Sequence, residues 1–151
     1  KVLVSMYDGP EQIKKFNESG CIGFIPAYKD SVEYITKLNV LEWKFEVISS
    51  LDKDKYAQNL REKNLIHIFG DVFDFIDCGL DYNIGKEQYL IDRYKEKKYY
   101  WIEDSVRNAE SGLKAGLISV IMDHDYNKQW NGTRVKNWKE IYGLVINDPA
   151  Y

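Results

Sequence analysis

The stretch from residue 99 to residue 122 constrains the fold more than any other. Tyr99-Tyr100-Trp101-Ile102-Glu103 is a short run suited to a buried strand. Residues 105–115 read as a helix, Gly116 as its stop, and residues 117–122 as a second strand. Two strands joined through a helix are closed by a right-handed crossover, which leaves them parallel. The same alternation is present upstream. Residues 44–50 carry the aromatic and β-branched residues of a strand, closed by the hydroxyl pair Ser49-Ser50 and a polar Leu51-Asp52-Lys53 turn. A helix is expected before it over residues 28–38, with Val32, Ile35 and Leu38 at helical spacing, and another after it over 54–65. Residues 73–78 read as a strand, 86–95 as a helix with Tyr89, Leu90 and Tyr94 on one face, and 137–142 as a terminal helix packing Trp138 and Ile141 on the sheet. The expectation is a three-layered α/β fold with a mostly parallel sheet flanked by helices.

A chain of 151 residues is read as a single domain over 1–151 with a sizeable core. The hydrophobic share of 44% and the charged share of 30% are those of a globular protein rather than a disordered one. A net charge of −3 offers no general attraction to phosphate backbones or anionic lipid, so non-specific nucleic-acid binding is disfavoured. No apolar run approaches the length of a membrane span, and the N-terminal residues lack the apolar core of a signal peptide. Cys21 and Cys78 show neither metal-ligand spacing nor a disulfide framework, which fits a reducing cytoplasm. Residues 1–6 read as a first strand, although Val2, Leu3 and Met6 also fit one face of a helix.

Three polar positions fall where the ends of successive strands of such a sheet are expected to converge. They are Ser49-Ser50, Lys86 at the start of a helix, and the adjacent acids Glu103-Asp104. Open α/β sheets bind ligands at the carboxyl ends of their strands. Hydroxyls there can donate to a phosphoryl oxygen, a lysine can offset its charge, and a carboxylate can hold Mg²⁺. Asp104 is the first choice as metal ligand, with Glu103 beside it. Asn108 is a candidate to orient the acids by a hydrogen bond. The plainer readings are that Asp104 stabilises a helix start, that Ser49 and Ser50 form a turn, and that Asn108 lies on a helix surface. His67 is expected to be a packed histidine and His124 a loop residue, while Trp43, Trp101 and Trp130 could stack on a base.

A strand ending in Ser, a Lys at a helix start and a strand ending in two acids come in an order that resembles motifs two, three and four of the haloacid dehalogenase-like phosphohydrolases. The small nucleotidase-like members of phages and bacteria are the nearest in look. Trp101-Ile102-Glu103-Asp104, Asn108-Ala109, Gly112, Gly116, Ile121-Met122-Asp123-His124, Asn127 and the run from Arg134 to Tyr142 carry most of the resemblance, which covers roughly residues 24–143. It implies a Rossmann-like sheet and a Mg²⁺-dependent phosphatase acting on a small phosphomonoester, a nucleotide among the options. Ser49, Ser50 and Lys86 would hold phosphate and Asp104 and Glu103 the metal.

Those enzymes open with a strand ending Asp-x-Asp, whose first Asp attacks phosphorus and whose second is the general acid and base. Here the nearest text is Met6-Tyr7-Asp8-Gly9-Pro10. Asp8 then matches the second acid, and Met6 stands at the nucleophile position. A thioether is neither anionic nor a good Mg²⁺ ligand. Three accounts are open: a nucleophile-bearing strand upstream of Lys1, a relative that binds phosphate or metal without turnover, or an enzyme that uses Asp8 in an unusual arrangement.

Overall fold

The computed structural model describes residues 14–16, 18–51, 54–81 and 83–150, so the reading of residues 1–6 as a strand lies outside the described residues. The chain divides into two compact units, Lys1–Ile84 and Gly85–Tyr151. Both are mixed α/β, built on small parallel sheets with helices packed against them.

In the first unit a short 3₁₀ turn, Gly20–Phe24, precedes helix α1 (Ser31–Val40), strand β1 (Phe45–Ile48), helix α2 (Lys55–Phe69) and strand β2 (Phe73–Asp77). β1 and β2 pair in parallel, with Val47 beside Ile76 and Ile48 beside Asp77. Helix α1 buries Ser31, Ile35 and Leu38, so its inward face is turned one residue from the expected one and Val32 is 42% exposed. The Ser31 hydroxyl is satisfied by donating to the Tyr28 carbonyl at 2.8 Å. Asp54 caps α2 by accepting from the Tyr56 N–H at 2.9 Å, and the helix stops at Gly70, whose φ of 72° suits a residue without Cβ. The core here gathers Ile22, Leu51, Ala57, Leu65 and Cys78, with Val47, Leu60 and Ile76 packed around it. Burial pushes the Cys78 thiol up to about 11, so it is protonated at neutral pH. His67, read as packed, is exposed: α2 continues to Phe69, and its period turns Ile66 and His67 outward.

The second unit runs helix α3 (Glu87–Tyr94), strand β3 (Tyr100–Glu103), helix α4 (Val106–Lys114), strand β4 (Ile118–Met122), a 3₁₀ turn at Asp125–Asn127, strand β5 (Thr133–Val135) and helix α5 (Trp138–Ile146). Its sheet order is β3-β4-β5, parallel throughout. Trp101 pairs with Ser119, Glu103 with Ile121 and Ile121 with Arg134. Helix α4 lies tight on the sheet because Gly112 faces it. A Cβ there would stand 2.4 Å from Trp101 Cδ1 and 2.5 Å from Ser119 Oγ. The buried Ser119 hydroxyl and Trp101 indole N–H donate to the carbonyls of Ala109 and Asn108, at 2.8 and 3.0 Å. Gly116, with φ 83°, ends the α4 region as expected. Ile141 and Val145 of α5 are buried, whereas Trp138 is only half-buried. Among the described residues no helix is long and apolar enough to cross a membrane.

Candidate functional site

The carboxyl ends of β3 and β4 in the second unit, with Arg134 of β5, carry a connected set of polar contacts. Alternation along β3 sends Trp101 and Glu103 into the interior, while Asp104, one residue on, is exposed. Glu103 is 8% exposed and accepts from Lys86 Nζ on Oε1 at 2.5 Å. Lys86 is itself 7% exposed, and its ammonium lies 5.1 Å from the centre of the Trp101 ring. The other carboxylate oxygen of Glu103 accepts from Asn108 Nδ2 at 3.3 Å. Two charges removed from water are tolerable only when they are paired and further hydrogen-bonded, as Glu103 is. Gly85 sets up this geometry. Its φ is 78°, a left-handed backbone conformation that a residue with a Cβ adopts only under strain, so the turn into α3 favours glycine immediately before Lys86.

Asp104 is placed differently from its neighbour. The cap of α4 is Ser105, so Asp104 is not the capping side chain. Its Oδ2 accepts from the Tyr126 hydroxyl at 2.7 Å and its backbone carbonyl from Asn127 Nδ2 at 2.8 Å. The Tyr126 ring stacks on His124, with centroids 5.0 Å apart and planes 8° from parallel. Asp123, at the end of β4, is held by Lys128 and by Arg134 Nη1, the latter at 2.7 Å. Hydrogen bonds from Lys128, and then from Arg134, keep its carboxyl below the usual carboxylate range against the opposing effect of partial burial.

The structure therefore brings Lys86, Glu103 and Asn108 into one hydrogen-bonded group and leaves Asp104 as the exposed acid of the pair. Ser49 and Ser50 belong to the first unit, just past the end of β1. The Ser49 N–H donates to the Asp77 carbonyl at 2.8 Å, and Ser50 bridges Gly79. Asp8 lies outside the described residues, as does Met6. Of the tryptophans, Trp101 is walled in by Gly112, Lys86 and its own hydrogen bond, which removes it as a stacking platform. Trp130 lies against Gly132 and donates its indole N–H to the Thr133 carbonyl at 3.1 Å. The contacts of Tyr126, Asn127 and Arg134 were not expected from sequence. The signal that existed was the polar run from Asp123 to Lys128 directly after a strand, followed by the Asn131-Gly132 turn.

Among the described residues no group of three or more His, Cys, Asp or Glu side chains is placed to hold a metal. Mg²⁺ asks for less, one or two carboxylates with waters and substrate phosphate completing an octahedron. The exposed carboxylate of Asp104, one oxygen fixed by Tyr126, fits that requirement. Comparison with models of protein families, with curated proteins and with solved structures gives no significant match to this chain.

Proposed function

We propose that this chain is a haloacid dehalogenase-like phosphohydrolase domain on a Rossmann-like sheet, using Mg²⁺ and acting on a small phosphomonoester such as a nucleotide. The observation that carries the reading is the division of the Glu103-Asp104 pair, with Glu103 turned inward onto Lys86 and Asp104 turned outward just past the end of the parallel strand β3. A site that binds a phosphoryl group beside a metal needs a rigidly held lysine and an accessible carboxylate. Glu103 supplies the first by fixing the Lys86 side chain through a buried charge-assisted bond. Asp104 supplies the second. When bound, Mg²⁺ offsets charge on the phosphoryl oxygens and orients them for attack. Lys86 is assigned the phosphoryl contact, and Asn108 orients Glu103. Asp8 is assigned general acid and base chemistry, and because Met6 stands at the nucleophile position the attacking carboxylate would be an Asp supplied elsewhere in the full-length protein.

One sequence observation favours a second reading. Met6 at the nucleophile position suits a binding or assembly module that keeps the acids and the scaffold but does not turn over. Hydrolysis of p-nitrophenyl phosphate with and without Mg²⁺ separates the two. The enzyme reading expects Mg²⁺-dependent turnover that falls at least a hundredfold in Asp104→Asn, about the scale of one lost electrostatic contact to the transition state. Turnover unchanged in Asp104→Asn would discard the site assignment. Mg²⁺ binding without turnover in the full-length protein would select the module.

A further inference from the structure

We propose that Tyr126, Asn127 and Arg134 are positioning residues for Asp104, fixing its carboxylate and its backbone so that it meets a divalent cation in one orientation. The inference rests on the reading of Asp104 as a metal ligand and adds residues that the resemblance did not assign.

Asn127 is fully buried at 0% exposure, and its side-chain amide is saturated. Nδ2 donates to the Asp104 carbonyl and to the Met122 carbonyl, both at 2.8 Å, so one amide ties the end of β3 to the end of β4. Oδ1 accepts from the His124 N–H at 3.1 Å and from Arg134 Nη1 at 2.7 Å. Arg134, from β5, also donates through Nη2 to the Asn127 carbonyl at 2.8 Å and the Trp130 carbonyl at 3.3 Å. Both ends of Asn127 are thus held by β5, and with them the Asp125–Asn127 turn.

That turn places Tyr126. The tyrosine is 44% exposed, so burial does not locate its ring. The parallel stack on His124 and the hydroxyl bond to Asp104 Oδ2 do. Asn127 by itself would close the strand ends whether or not Tyr126 reached the acid. The Tyr126 hydroxyl bond ends on the carboxylate assigned to the metal. Partners that orient a metal-binding carboxylate typically change metal affinity by 10- to 100-fold when removed.

Calorimetric titration of the intact chain with Mg²⁺ alone, paired with thermal unfolding, tests this without relying on turnover. The wild type is expected to bind and Asp104→Asn to lose binding. Tyr126→Phe should bind about tenfold more weakly with an unchanged Tm, because only an exposed hydroxyl is lost. Arg134→Lys should weaken binding in the same direction by loosening Asn127. Equal Mg²⁺ affinity in the wild type and Tyr126→Phe, with Asp104→Asn silent, overturns the positioning role and leaves the metal ligand standing. No Mg²⁺ binding by the wild type overturns both.

Discussion

At the scale of single residues, the Lys86–Glu103 pair sets the most consequential constraint. With each residue under a tenth exposed and the charged atoms 2.5 Å apart, neither can be removed alone without stranding its partner in a poorly hydrated interior. Glu103→Gln or Lys86→Met should each lower unfolding free energy by about 3–5 kcal/mol in urea titrations. The double variant Lys86→Met with Glu103→Leu should recover most of that loss, since well-packed apolar groups often replace a buried ion pair without penalty. Single variants costing under about 1 kcal/mol would mean that the pair behaves as a solvated surface bridge. Surface pairs such as Lys114–Glu87 are of that weaker kind. The pairing could not be read from the sequence. Lys86 and Glu103 are separated by 17 positions, and a lysine opening a helix gives no sign of which acid it will meet. What was legible was the placement of both at element ends.

Among elements, the contact of α4 with the sheet depends on an absent side chain. Gly112→Ala places a methyl within van der Waals overlap of the Trp101 ring and the Ser119 hydroxyl, and both neighbours are buried and hydrogen-bonded, so neither yields cheaply. The expected cost is about 1–3 kcal/mol of overpacking, despite the better helix propensity of alanine. A neutral or stabilising result in denaturant melts would show that α4 can lift away from β3. Strands β3 and β4 were legible because their apolar runs are bounded by polar residues and by Gly116. Strand β5 was not, because three residues of which only Val135 is buried carry no period to detect. The end of α2 was obscured for the opposite reason. Leu65-Ile66-His67-Ile68-Phe69 reads as one apolar block, whereas the helix exposes Ile66 and His67 and stops only at Gly70.

For the molecule as a whole, acid sensitivity follows from carboxylates held in their charged form. Asp123 is kept low by its Lys128 and Arg134 hydrogen bonds, and Asp148 by the Tyr100 hydroxyl and the Ala150 N–H. A carboxyl whose folded pKa is depressed contributes stability that is fully present above its unfolded value, about 3.9, and that is lost as pH falls through the folded value. The Tm should therefore be level above about pH 5 and decline below about pH 4, with a shallower decline in Asp123→Asn. Parallel curves for the two proteins would remove Asp123 as a contributor. The parallel α/β character of the chain was legible from its alternating elements. Its division into two compact units was not, because no linker or change of composition marks the passage from Ile84 to Gly85.

The opposed placement of Glu103 and Asp104 also bears on how this sequence can change. Because neighbouring strand residues face opposite ways, deleting one residue between Tyr100 and Glu103 would hand the lysine's partner to the solvent and turn the outward acid in. A substitution at this strand end keeps the two acids on their opposite faces, whereas a deletion exchanges them.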